Sequence, residues 1–382
     1  LLVNDGFAPS LGTRDMTTLG VMASQDLSWP GKRALRAAIA GADLAVAEQQ
    51  LARARLAVAA AVRTAYHALR EARALLALAR EQVELGGQAA AAARARYVVG
   101  QGSQQDVMRA QAELTRLGQL PVEQQAQEEV RLAELNRLLG RAGGPIGTAA
   151  EEAPPTAEPL EVVLERVRSS SPELAAARAA VERARLSAEL ARKASRPDFT
   201  VEAGYMNRGG LDPMGQAGIG IRLTGSRGAR RAAVEEAEAG RRAAEARVAS
   251  VESLLRLRTQ ERLVRLAAIE RIAAAYAEGV VPQGRLAVDA ALAGYGAGRT
   301  PYASVLDALA AVYGDRAALA RLSSAAAQMR ARLEEASLDA TPEIPMLPAP
   351  MRAAPASGPP DMAQPQMAAR PAAMPAGAGM DR

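Results

Sequence analysis

Cysteine and histidine, two residues that often carry catalytic or metal chemistry, are almost absent from this sequence. It has no cysteine, and His67 is its only histidine. No spaced set of metal ligands is visible in the sequence, and no Gly-rich loop precedes a lysine to cradle phosphate. An enzymatic reading therefore has little support, and no cofactor is expected. The sequence offers a repeated phrase instead. Tyr97-Val98-Val99-Gly100-Gln101-Gly102-Ser103-Gln104-Gln105-Asp106-Val107 returns 198 residues later as Tyr295-Gly296-Ala297-Gly298-Arg299-Thr300-Pro301-Tyr302-Ala303-Ser304-Val305 and runs on through Asp307. Glycine just past a helix supplies the left-handed C-cap, and Ser103 or Thr300 can cap the helix that follows. Each phrase thus reads as the tip of a hairpin of two antiparallel helices. Asp106 falls in a first helical turn, where the helix dipole favours negative charge.

Two further groups have chemical potential. Glu202 and Arg222 fall on the polar side of alternating segments, either as a facing pair or as parts of an ordinary wet surface. Six methionines between residues 346 and 380 carry thioether sulfur suited to soft ions such as Cu(I). Pro and Ala fill the rest of that segment, so plain low complexity is the reading taken, and the tail reads as disordered.

The elements that must position the tips are long. A helix pattern runs from about Lys32 to Val99, softened at Gly86-Gly87; about 67 residues span ~100 Å. A return helix covers about Ser103 to Leu139, with a kink expected at Pro121. Residues 140–159 form a Gly/Pro-rich connector. A helix from about Leu160 to Ser195 is interrupted at Ser169-Ser170-Ser171-Pro172. A second long helix runs from about Ala229 to Gly294, with a kink near Gly279 and Pro282, and returns from about Ala303 to Ala336.

Between these helices the period changes from 3.6 to 2. Phe199, Val201, Ala203 and Tyr205 alternate with Thr200, Glu202, Gly204 and Met206. After a turn at Arg208 to Pro213, Ala217, Ile219, Ile221 and Leu223 alternate with Gln216, Gly218, Gly220 and Arg222. Leu19, Val21, Ala23 and Leu27 alternate likewise near the N-terminus. Such strands, apolar on one face and polar on the other, have the spacing of a membrane β-hairpin. The only Phe and Trp residues, Phe7, Trp29 and Phe199, all lie in these segments, as suits a membrane interface.

Composition agrees. Apolar residues make up 49% of 382 residues but aromatics only 3%, which favours closely packed Ala/Leu helices over a bulky core. Net charge is +5, yet both signs are mixed along every helix, so a solvated helix face is expected rather than a nucleic-acid surface. No run of about 18 apolar residues could form a membrane-spanning helix.

The order is hairpin, long helix, tip, return helix, connector, then the same again. The two tip phrases, Trp29-Pro30-Gly31-Lys32-Arg33 and Arg196-Pro197-Asp198 make the chain resemble the outer membrane efflux channel family typified by TolC. Ala275-Tyr276-Ala277-Glu278-Gly279-Val280-Val281-Pro282-Gln283 is most similar to its heavy-metal branch. The fold class expected is mainly α with a small β part. A duplicated unit of helical hairpins would build a trimeric α-barrel under a shared membrane barrel of about twelve strands, since four strands cannot close alone in lipid. The expected regions are a first β-hairpin over 1–31 and a first helical hairpin over 32–139. An equatorial connector over 140–195, a second β-hairpin over 196–227, a second helical hairpin over 228–338 and the tail from 339 to 382 follow.

The resemblance implies a homotrimer in the cell outer membrane that reaches into the periplasm. Its partners would be membrane lipid, a periplasmic adaptor and an inner-membrane pump of the resistance-nodulation-division type, with no nucleic acid. The cargo would be small molecules or metal ions; protein secretion or drug export, and a soluble coiled-coil scaffold, are the competing readings. The resemblance also assigns roles. Asp106, Asp307 and Tyr295 match gate positions at the periplasmic end, with Ser304 where a second acid can stand. Gly100, Gly102, Ser103, Gly298, Arg299, Thr300 and Pro301 match adaptor-docking tips, and Glu202 and Arg222 would face the barrel lumen. The sequence departs from the family at Leu1, before which the resemblance implies N-terminal helices and a first strand that are missing or incomplete here. It also departs in its Met-rich tail and in Leu223-Thr224-Gly225-Ser226-Arg227-Gly228, which has no bulky residue after the strand.

Overall fold

The computed structural model describes residues 19–147, 158–208, 211–222 and 226–339. The strand expected before residue 19, the middle of the 140–159 connector, Leu223 to Gly225 and the Met-rich tail lie outside the described residues.

Three strands form one antiparallel sheet in the order β1 (Leu19–Leu27), β2 (Asp198–Arg208), β3 (Leu211–Arg222). Leu27 pairs with Phe199, which pairs with Ile221; Val21 pairs with Tyr205, and Val201 with Ile219. The period-2 pattern thus collects the apolar residues on one face. That face is bare: Val21 is 79% exposed and Ile219 78%. The second hairpin is longer than the turn signal suggested. Arg208 pairs directly with Leu211, and Asp212-Pro213 belong to β3. Among the described residues β3 is an edge strand, where a residue lacking an N–H is tolerated.

Trp29, Gly31 and Lys32 turn β1 into the first long helix. The Lys32 side chain is buried, and its Nζ donates to the Arg196 carbonyl at 2.7 Å and to Asp198 Oδ1 at 2.9 Å. The same Asp198 oxygen accepts from the Trp29 backbone N–H at 2.8 Å. Trp29 stacks on Phe199, their centroids 6.1 Å apart. One buried charge, paired and hydrogen-bonded as burial requires, fastens the start of one repeat to the strand of the other.

The helices are α1 (Lys32–Val98), α2 (Gln104–Leu117), α3 (Gln119–Leu138), α4 (Leu160–Ser170), α5 (Pro172–Lys193), α6 (Arg227–Ala275), α7 (Val281–Gly296) and α8 (Tyr302–Glu335). None is long and apolar enough to cross a membrane. Alanine-rich faces let α1 pack against α2, α3, α5 and α8, while α6 packs against α5 and α8. Cross-helix polar contacts fix an antiparallel α1/α8 register. Arg63 pairs with Glu334, the Ser324 hydroxyl donates to the His67 carbonyl, Arg316 pairs with Glu81 at 2.6 Å, and Gln82 donates to the Leu309 carbonyl.

Of three irregularities expected in the helices, one is absent and two take a defined form. Gly86-Gly87 does not soften α1, which is continuous. Gly86 instead admits α2, since a Cβ there would lie 2.5 Å from Leu117 Cδ1. The return helix breaks at Gly118, three residues before Pro121: with no N–H the proline leaves the Leu117 carbonyl unbonded, and the helix divides there into α2 and α3. The kink near Gly279 and Pro282 is a π-helical turn, Tyr276–Val280. Pro282 has no N–H to offer the Glu278 carbonyl, and the turn is re-bonded with wider spacing. The break at Ser171 follows the sequence, its hydroxyl accepting from the Leu174 N–H.

Candidate functional site at the helical tips

The two tips are built alike. Gly100 and Gly298 stand at φ 73° and 75°, the left-handed region the repeated glycine signalled. Behind each, the chain closes with the same pair of bonds. Gly100 N–H donates to Tyr97 O and Gln101 N–H to Arg96 O; Gly298 N–H donates to Tyr295 O and Arg299 N–H to Gly294 O. This double closure satisfies helix-end carbonyls. Gly102 is needed for closeness, since a Cβ there would be 3.0 Å from the Tyr97 nitrogen.

The caps differ. The Ser103 hydroxyl accepts from the Asp106 N–H at 3.1 Å, as expected. Thr300 does not cap α8; its hydroxyl donates back to the Ala291 carbonyl of α7, and Pro301 is the N-cap residue. Gly100, Ser103, Gly298, Arg299 and Pro301 are exposed, while Gly102 and Thr300 are half-buried.

Beneath the turns lies a core that joins both hairpins. Ala89 and Ala93 of α1, Ala110 of α2, Val288 and Tyr295 of α7, and Tyr302 with Val305, Leu309 and Val312 of α8 pack together. Tyr295 is 1% exposed, whereas Tyr97, its counterpart in the first repeat, is 46% exposed. The Tyr295 and Tyr302 rings meet edge-on at 5.2 Å. The Tyr295 hydroxyl donates to Asp106 Oδ2 at 3.4 Å, and Arg96 sits 4.7 Å above its ring. Arg96 also donates to the Tyr295 and Gln101 carbonyls.

Burial disfavours the phenolate. It raises Tyr295, helped by the negative charge of Asp106, and pushes Tyr302 up to about 12. The site therefore holds two neutral phenols, one arginine and one half-buried carboxylate. These groups make a polar contact between the two hairpins: the Tyr295 hydroxyl reaches Asp106 and Arg96 bonds the Tyr295 carbonyl.

Of the sequence-derived gate residues, Tyr295 and Asp106 come together within one chain. Asp307 does not join them; it is exposed on α8. Arg96 is the residue the sequence reading missed. Its signal was the repeat itself, because the position 198 residues on is Gly294, a small residue opposite a long one. In the sheet, Glu202 and Arg222 share the polar face, but Arg222 pairs with Asp26 at 3.2 Å rather than with Glu202. The register explains this: Glu202 stands opposite Ser24 and Gly218, two positions along from the Asp26 row.

A family model for outer membrane efflux proteins matches residues 5–141 and 163–337, well over half of the sequence. The chain belongs to the outer membrane efflux protein family. Members of this family are trimeric outer membrane channels that extend into the periplasm and serve tripartite efflux systems; they are conduits rather than enzymes. The fold is similar to that of the outer membrane protein VceC from Vibrio cholerae, with 22% identity, TM-score 0.70, and 84% of this chain and 79% of that one covered. A Pseudomonas aeruginosa membrane protein matches at 17% identity and TM-score 0.70, covering 84% and 82%. CusC, whose structures accompany a description of transmembrane channel formation, matches at 18% and 0.68, covering 86% and 79%. No curated protein matches the sequence.

Proposed function

We propose that this efflux-family chain forms a homotrimeric passive conduit that carries small molecules or metal ions from the periplasm to the exterior. The observation that carries the reading is the sheet. Its apolar face is bare, with Ile219 78% exposed and β3 unpaired on one side among the described residues. Such a sheet is stable in lipid only when copies close it into a barrel. The antiparallel helices below would then align into the tunnel wall, with Glu202 and Arg222 on the lumen side.

The tips Gly100 to Ser103 and Gly298 to Pro301 would receive the periplasmic adaptor, which couples the channel to a resistance-nodulation-division pump. Their shared turn geometry and exposure support this docking. Asp106, Asp307 and Tyr295 would form the gate. Three copies of each acid in a narrow ring would attract cations and repel one another, so opening relieves charge repulsion. The Tyr295 to Asp106 bond and the Arg96 contact support Tyr295 as the latch between the hairpins. Energy would come from the pump, since the family's channels are conduits.

Single-channel conductance in planar bilayers tests the gate. The Asp106→Ala, Asp307→Ala double variant is expected to change basal conductance and weaken cation selectivity. Unchanged conductance and selectivity would refute the gate assignment.

A further inference from the structure

At the junction of sheet and helices, apolar and cationic groups meet on one side of the molecule. Leu27, Phe199 and Ile221 form a row across the sheet, and Trp29 continues it by stacking on Phe199. Just past this row the guanidinium of Arg196 lies 5.7 Å over the Trp29 ring. Lys193 Nζ lies close by, 2.9 Å from where a Cβ on Gly31 would stand.

The charges nearby leave these two cations available. Asp198, the carboxylate nearest in sequence to Arg196, is held by Lys32 and the Trp29 N–H. Among the described residues no carboxylate pairs with Arg196. Lys193 meets Glu189 at 3.6 Å, both about 40% exposed, a solvent-screened pair of little strength. The arrangement is thus a bare apolar wall, an aromatic at its lower edge, and two cations immediately beyond.

We propose that Arg196 and Lys193 bind the phosphate of an anionic glycerophospholipid whose acyl chains lie against Phe199 and Ile221. Tryptophan prefers the level of the headgroups, acyl chains extend from there along the apolar face, and a phosphodiester carries the complementary charge. Arg196 contributes planar donors while remaining stacked on Trp29. The site is a lipid site at the periplasmic rim of the barrel, and it rests on the membrane reading above.

Trp29 is the only tryptophan in the chain, so its fluorescence reports this position alone. The full-length protein is reconstituted in neutral vesicles, and part of the lipid is replaced by a brominated phosphatidylcholine or a brominated phosphatidylglycerol. Half-maximal quenching is expected at a mole fraction of the anionic lipid roughly fivefold lower than that of the neutral one. The Lys193→Gln, Arg196→Gln variant should lose that preference while neutral brominated lipid still quenches it. A Lys193→Arg, Arg196→Lys variant should keep it, as should wild type in added inorganic phosphate. Equal quenching by both lipids in the wild type would overturn the proposal and leave the membrane reading intact. A preference that survives the glutamine variant would overturn the assignment to these residues. No quenching by either lipid would contradict the membrane reading itself.

Discussion

The two helical hairpins are copies of one plan, yet they solve it differently. Each pairs one continuous helix with one broken helix, and the break falls on opposite partners. In the first hairpin α1 is unbroken and the return helix divides at Gly118; in the second, α8 is unbroken and the outbound helix carries the π-helical turn Tyr276–Val280. A glycine repeats 198 residues apart for close packing: Gly86 faces Leu117, and Gly284 faces Val312. The tyrosines at the tips diverge most. Tyr97 is at the surface, and Tyr295 is the centre of the core that ties the hairpins together. Duplication therefore preserves the turn, while function is free to specialise the residue behind it.

The sharpest way to break this comparison is to delete each tyrosine. Tyr295→Ala should cost about 3–5 kcal/mol of local stability, the usual loss for a large buried aromatic. Tyr97→Ala should cost well under 1 kcal/mol, as surface changes do. Amide hydrogen exchange across residues 87–114 and 285–312 reads the two. Equal losses would show that the tips are energetically alike.

Neighbouring glycines in α1 should respond with opposite sign. Gly86→Ala must displace Leu117 and is expected to destabilise by about 1–3 kcal/mol. Gly87→Ala meets nothing within 4 Å and should stabilise by up to about 1 kcal/mol through helix propensity. Thermal unfolding of the two variants in detergent checks the order.

A smaller effect separates the caps. Ser103→Ala should lose about 1 kcal/mol, because it removes the bond to the Asp106 N–H. Thr300→Ala removes no cap from α8 and should cost less, seen as fraying of α2 but not α8 in exchange.

The last contrast is pH. A phenol raised in the fold stabilises it fully below its unfolded value near 10. That contribution disappears as pH rises toward the folded value, about 12 for Tyr302. Stability should fall across that window, and Tyr302→Phe should flatten the fall. A titration of tip exchange rates from pH 9 to 11.5 measures it.

Much of this was legible in the sequence, for physical reasons that also mark where reading stopped. Gly100 and Gly298 announced left-handed caps, and alternation at Phe199 to Tyr205 announced a two-faced strand, because both signals are local. Gly86 and Thr300 were misread because their roles are set by Leu117 and by the Ala291 carbonyl, partners in other helices. The kink expected of Pro121 falls at Gly118, because its missing N–H leaves the Leu117 carbonyl unbonded. Arg96 and the Lys32 to Asp198 fastening depend on groups far apart in sequence, which periodicity does not report.

The central claim is a membrane conduit closed by three copies. Full-length protein expressed in a Gram-negative host, extracted from separated membranes in detergent and weighed by light scattering, tests it directly. The account predicts an outer-membrane fraction and a protein mass three times that of one chain. A soluble monomer or dimer would contradict it and leave the bare sheet face without an explanation.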